Sequence, residues 1–281
     1  MKIVYYLFLV ALFFSCAREK IEEGIVIRVA DFQKDLAMDS VVDDIKILEL
    51  KMPEDEYIAD VKDLAFTNDL IYVLDDIKQM VYVFDTTGLF RTKMNKMGKA
   101  RDEYINAFAI DADTSYLYLL DMPTRKVLFY DNKLNYAGHF SLPHVSTHFK
   151  LAGDSYVVNN VERAEGASYY YRMDSNHVIT KSLFPYAENS MQGADSRGIG
   201  GRILSYDKQK NAISLVEPFS DRIFELKDND LQVKYTLKFE GNNIDHKQTG
   251  VNVFQIPATY IEGYMDLKNK KVVSFELNPK S

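Results

Sequence analysis

Apolar residues along most of this chain come in short runs bounded by Asp, Asn, Gly and Lys, not in the spaced stripe of a long amphipathic helix. Ile45-Lys46-Ile47-Leu48-Glu49-Leu50, Leu70-Ile71-Tyr72-Val73-Leu74 and Met80-Val81-Tyr82-Val83-Phe84 are examples. Each has strand length and β-branched or aromatic content, and the runs end at turn signals such as Asp85-Thr86-Thr87-Gly88. A helical pattern is a candidate only over Val29 to Met38.

The runs repeat. Ile71-Tyr72-Val73-Leu74-Asp75 falls over Leu117-Tyr118-Leu119-Leu120-Asp121 at an offset of 46 (121 minus 75), and Val81 to Asp85 falls over Val127 to Asp131 at the same offset. A fainter copy, Ser214 to Glu217 followed by Arg222 to Leu226, lies two periods on, 223 minus 127 being 96. Between them, Ser155 to Asn159 and Tyr169 to Asp174 make a unit with a longer hairpin loop, and Tyr260 to Asp266 with Val272 to Leu277 form a last hairpin. Alternation sends Tyr169 and Tyr171 to one face of their strand, as core packing. A period of roughly 40 to 50 residues built from short strands marks a propeller blade, because one blade buries its two faces only against its neighbours. The expected fold is therefore all-β: a propeller of four-stranded antiparallel blades near 58–92, 104–142, 146–185, 199–240 and 254–281. Five units are recognisable, with a sixth only if the N-terminal strands build most of a blade. Either 25–29 or 45–50 is expected to close the ring by joining the last blade.

The first residues have a different character. Lys2, the apolar run Ile3 to Phe14, then Ser15, Cys16 and Arg18-Glu19-Lys20 follow the order of a secretory signal peptide. Twelve apolar residues (3 to 14) are too few for the roughly 20 that a membrane-spanning helix needs. Cys16 is the single cysteine, which excludes an intramolecular disulfide. Phe13-Phe14-Ser15-Cys16 resembles the bacterial lipobox, with Phe13 in place of the usual leucine; the resemblance implies lipidation at Cys16. The alternative is an ordinary signal peptide with an incidental cysteine. The expected organisation is a signal peptide at 1–15, a lipid-anchored tether at 16–24 and the propeller at 25–281. A net charge of −7 argues against a nucleic-acid partner, which requires a clustered basic face. Nineteen Tyr and 17 Phe with no Trp suit strands better than helices.

With the repeats in view, the chain resembles the six-bladed β-propeller lipoproteins of Bacteroidetes, which are related to NHL-repeat propellers. Phe84-Asp85-Thr86-Thr87-Gly88-Leu89-Phe90, Met97-Gly98-Lys99, Asp102-Glu103-Tyr104, Phe108-Ala109-Ile110-Asp111 and Leu117 to Asp121 carry the likeness. It departs at Ala100-Arg101-Asp102, where the family has a Gly-Pro-Gly turn, and the chain is short for six complete blades. The resemblance implies six blades and a cell-envelope location, with the lipid on the outer membrane at its periplasmic or surface side. A shortened, non-functional relative with an open ring is a further alternative.

Candidate chemistry lies in the connections. Lys99 to Tyr104 joins two blades, where Arg101 and Glu103 are placed to meet a charged or sugar ligand; alternatively Glu103 and Tyr104 anchor the turn by hydrogen bonds. Arg125, in the next blade, and Arg197 and Arg202, in the Gly- and Ser-rich loop from Tyr186 to Arg202, complete the candidate binding set. Asp75, Asp121 and Glu217 recur at one point of successive blades, as either a cation-binding ring or turn-capping carboxylates. His144 and His148 follow Pro143 in a loop, without a third ligand for zinc. No nucleophile elbow, P-loop or dinucleotide fingerprint occurs. The expectation is a non-enzymatic binding module without cofactor, metal or catalytic residue, facing a glycan, peptide or envelope protein. The alternative is a carbohydrate- or peptide-processing lyase or hydrolase at the channel mouth, using Glu103, Arg101 and Arg125.

Overall fold

A computed structural model describes residues 24–29, 46–162, 164, 166–186, 204–207, 210–216, 222–227, 229–239, 260–266 and 271–276. The signal peptide, Cys16, most of the helix candidate, Glu217, Arg197 and Arg202 lie outside the described residues. Among the described residues all regular structure is β.

β1 (Ile25–Val29) and β2 (Lys46–Glu49) precede the repeats. Blade I is β3 (Val61–Phe66), β4 (Leu70–Asp75), β5 (Met80–Asp85) and β6 (Phe90–Met94). Blade II is β7 (Ala107–Ala112), β8 (Tyr116–Asp121), β9 (Lys126–Asp131) and β10 (Tyr136–Ser141). Blade III is β11 (Phe149–Ala152), β12 (Ser155–Asn159), β13 (Ser168–Met173) and β14 (Ile179–Pro185). Blade IV is β15 (Leu204–Asp207), β16 (Ala212–Val216), β17 (Arg222–Lys227) and β18 (Asp230–Phe239). Within each of these the strands pair in chain order and antiparallel. The last sheet is β19 (Tyr260–Asp266), β20 (Lys271–Glu276) and β2, in that order.

Both N-terminal strands are used, in different places. β2 pairs antiparallel with β20, joining the start of the chain to its last sheet, whereas β1 lies parallel on the outer edge of blade IV, Ile25 opposite Tyr235. The innermost strands follow one another around the ring: β3 beside β7, β7 beside β11, β11 beside β15, and β19 beside β3. The architecture is a β-propeller of four to five blades.

The hairpins share a device that explains the repeated aspartates. Asp85 and Asp131 end their third strands and Asp174 directly follows its own, and one carboxylate oxygen of each accepts the N–H groups two and four residues on: Thr87 and Leu89, Lys133 and Asn135, Asn176 and Val178. That clamp holds the third residue after each aspartate in the left-handed region, at Gly88 (φ 83), Leu134 (φ 63) and His177 (φ 64). Only the first is glycine, and a Cβ there would collide with the Glu49 carbonyl.

Apolar side chains pack between neighbouring blades. Leu74, Val81 and Tyr104 meet Leu117, Leu128 and Tyr130 between blades I and II; Val127 and Phe140 meet Tyr156 and Val158 between II and III; Tyr170 and Leu183 meet Leu215 and Leu226 between III and IV. Leu48, Leu50 and Met52, following β2, cover blade I against Tyr82 and Phe84. Tyr169 departs from strand alternation: it packs toward blade IV with Tyr186, ring centres 4.0 Å apart, while Tyr171 packs toward blade II.

Candidate functional site

Antiparallel connectivity assigns every loop to one of two faces. The turns β4–β5 and β8–β9 and the connections from blade to blade lie on one face, here the upper; the turns β3–β4 and β5–β6 and their counterparts lie on the lower. Arg101, Glu103, Tyr104 and Arg125 all belong to upper loops.

The upper loops are tied together by buried side chains. Asp75 accepts N–H groups of Ile77 and Lys78 in its own turn and of Ala59 ahead of β3. Asp121 accepts the Asn106 N–H ahead of β7 and the Thr124 hydroxyl. In blade III the position is Asn159, whose side-chain oxygen accepts the N–H groups of Thr147 and His148 ahead of β11. These recurring groups therefore splice each second-strand turn to the entrance of its own inner strand, and their oxygens are engaged by the chain's own donors.

The loop Lys99 to Tyr104 is held equally tightly. Tyr104 is fully buried; its N–H donates to the Lys96 carbonyl at 3.0 Å and its hydroxyl to the Gln79 carbonyl at 2.6 Å, and burial pushes its pKa up to about 12. The Glu103 carboxylate accepts the Ala100 N–H at 2.8 Å and fills the space beside Gly98, where any Cβ would collide with it. The carboxylate thus satisfies a backbone donor of its own turn. Arg101 is exposed and its guanidinium carbon lies 5.9 Å from the centre of the Tyr136 ring, on the outermost strand of blade II, away from the channel. Arg125 holds a left-handed backbone (φ 54) and pairs with Glu162 of blade III at 2.7 Å, bridging two blades.

At the centre, Asp63 and Asp111 staple one inner strand to the next. Asp63 accepts the Ile110 N–H at 2.7 Å, and Asp111 accepts the Leu151 N–H at 2.8 Å together with the Lys150 ammonium at 3.1 Å. A small cavity among the inner strands, bounded by Asp63, Ile110, His148, Lys150 and Leu204, is about 20 Å³, room for about one water molecule.

A family model described as a domain of unknown function, DUF4934, matches residues 24–276. The chain belongs to this family. No curated protein sequence matches it. Among solved structures, this DUF4934 chain resembles a protein of Bacteroides fragilis described as exported, with 19% identity over 77% of this chain and 61% of that one, at a TM-score of 0.64. A DUF4221-family protein from Bacteroides vulgatus follows, with 10% identity over 69% of this chain and 63% of that one, at 0.50. Virginiamycin B lyase from Staphylococcus aureus overlaps at 0.46, with 10% identity over 72% of this chain and 62% of that one, which transfers no chemistry. The chain spans about three-fifths of the length of these structures, and the likeness establishes the propeller fold.

Two buried groups of the DUF4934 domain lie in the connection between blades II and III. His144 is 7% exposed and its Nε2 has no hydrogen-bond partner among the described residues; the same holds for the hydroxyl of Ser146, 1% exposed. The His144 ring lies 4.5 Å from that of Tyr171, and burial drives its pKa down to about 4, against the pull of Glu162 and with the push of Arg125. His148, four residues on, lines the small cavity instead, with Nδ1 3.0 Å from the Thr147 hydroxyl. Among the described residues no group of three or more His, Cys, Asp or Glu side chains is placed to hold a metal ion.

Proposed function

We propose that this chain is a cell-envelope lipoprotein whose propeller binds a protein partner through its upper face, without catalysis. The observation that carries the proposal is a set of exposed apolar residues on three upper loops, two of which are each bonded to the β4–β5 turn. Ile77 is 72% exposed, Tyr57 and Met97 60% and Ile105 43%. Lys78, 3.2 Å from the centre of the Tyr57 ring, donates to the Tyr57 carbonyl, and the Tyr104 hydroxyl reaches back to Gln79. Single exposed apolar residues are ordinary on any surface, but a group of them on fixed loops with a charged rim fits a protein interface. Lower-face Leu89 and Val178 belong to separate blades. The lyase or hydrolase reading draws no comparable support, because the Glu103 carboxylate is engaged by Ala100 and the Arg125 guanidinium by Glu162.

The path of the N-terminus supports the same orientation. β18 rises from the lower face, and β1 runs parallel to it, so β1 is entered from its lower-face end. A lipid on Cys16, joined by the tether of residues 17 to 24, then holds the lower face toward the membrane and presents the upper face outward. The test is the native size of the full-length chain extracted in mild detergent from its own envelope. The expected result is a complex larger than the monomer that collapses to monomer in Ile77→Asp/Met97→Asp but persists in Val178→Asp. Monomer throughout overturns the proposal.

A further inference from the structure

We propose that the outer seam between blades I and II is a binding site for an oxyanion group, a carboxylate, sulfate or phosphate, held by Arg101, Lys126 and His139. This site shares the β6–β7 loop with Met97 and Ile105 but uses other side chains and does not depend on a protein partner.

The backbone brings the three together. In β10 a bulge between Tyr136 and Gly138 inserts one residue, so Tyr136 and His139, three apart, point to the same side of the sheet. The Tyr136 hydroxyl meets His139 Nδ1 at 2.5 Å, with the ring centres 6.3 Å apart. Lys126 is opposite Ser141 and Leu128 is opposite His139, which puts Lys126 one ladder step from His139 on that same side. Arg101 comes from the preceding inter-blade loop and stands over the Tyr136 ring.

Among the described residues neither Arg101 nor Lys126 forms an ion pair, whereas the nearby Lys96, 5.1 Å from the centre of the Tyr130 ring, is paired with Asp102. Burial, Lys126 and Arg101 all push the His139 pKa below its ordinary value, so the ring is neutral at pH 7. The Tyr136 hydroxyl and Nδ1 share one hydrogen bond; in the tautomer protonated at Nε2 the hydroxyl is the donor and the Nε2–H is left to a ligand. Arg101, Lys126 and His139 in that tautomer offer a guanidinium fork, an ammonium and an imidazole N–H along one seam, the donor types that bind an oxyanion. The arrangement belongs to blade II: at the offset of 46, blade I carries Met80 (126 minus 46) and Lys93 (139 minus 46), and Lys93 is paired with Glu56.

The test uses the full-length chain in detergent with labelled histidine, titrated with phosphate, sulfate or acetate against chloride at matched ionic strength. The expected result is a saturable shift of one imidazole resonance, absent in His139→Gln, with its titration moved to higher pH by the bound anion. Arg101→Gln and Lys126→Gln each weaken binding about tenfold, the loss of one charge-assisted bond. Saturation by phosphate or sulfate identifies a tetrahedral ligand, and saturation by acetate alone a carboxylate. A shift no larger than that with chloride, or one unchanged in both variants, overturns the proposal.

Discussion

Replacing Asp111 by Ala tests whether the inner ring is held by side-chain staples across the blade seams. Asp111 is buried and accepts the N–H groups of Ala112 at 3.0 Å and Leu151 at 2.8 Å, as well as the Lys150 ammonium at 3.1 Å. Its removal strands a buried backbone donor, at about 1–3 kcal/mol, and leaves Lys150 without its counter-charge. Breaking a buried pair from one side costs about 3–5 kcal/mol; the Lys150 side chain keeps 18% exposure and finds some water, so the expected loss is about 3 kcal/mol. Asp111→Asn retains an acceptor for Leu151 without the charge and loses about 1.5 kcal/mol. Much of the penalty belongs to the abandoned lysine, so Asp111→Ala/Lys150→Met costs less than the sum of its parts by about 1–2 kcal/mol. Urea unfolding followed by circular dichroism is the assay, since the chain has no Trp. The control is Lys210→Ala, which removes an exposed pair with Asp207 and changes stability by less than about 0.5 kcal/mol. A loss below about 1 kcal/mol in Asp111→Ala, or strict additivity with Lys150→Met, refutes the staple.

Other consequences follow from the same contacts. The Tyr104 pKa is raised to about 12 in the folded chain, so the stability it contributes is complete below about pH 10 and lost as pH rises toward 12. Tyr104→Phe removes this share of the alkaline sensitivity and costs about 1–2 kcal/mol at pH 7, read by urea unfolding at both pH values. His144 behaves in the opposite sense: with its folded pKa near 4, stability is complete above about pH 6.5 and falls as pH drops to 4. Full coupling over that interval is worth about 3 kcal/mol; solvent screening near the loop face reduces it to about 2, and thermal melts of His144→Gln between pH 4 and 7 should show the flatter profile. Gly88→Ala forces a Cβ into the Glu49 carbonyl and costs more than about 2 kcal/mol in urea unfolding, whereas an Ala at Gly166, with open space around it, costs about 1.

Local chemistry accounts for what the sequence makes legible. The offset of 46 aligns β4 with β8 and β5 with β9 because each hairpin must satisfy the same turn, and the aspartates that close those turns are visible as Asp75, Asp121, Asp85 and Asp131. Asn159 does the same work in blade III with an amide, which hides it from a search for carboxylates. Leu134 and His177 occupy left-handed positions that glycine would advertise, because the aspartate clamp pays for the conformation. The pairings across seams are beyond local patterns: Asp63 with Ile110, Asp111 with Leu151 and Arg101 with Tyr136 join residues 35 to 47 apart, and none follows the repeat. Either N-terminal strand satisfies the alternation of an added strand; only the pairing shows β2 on β20 and β1 on blade IV.

The upper face is the surface proposed to meet another protein. A photo-crosslinking residue at Ile77, and separately at Val178, in the full-length chain of living cells tests this directly. Adducts of one discrete mass from Ile77 and none from Val178 are predicted; adducts from Val178 alone would assign recognition to the lower face and contradict the account.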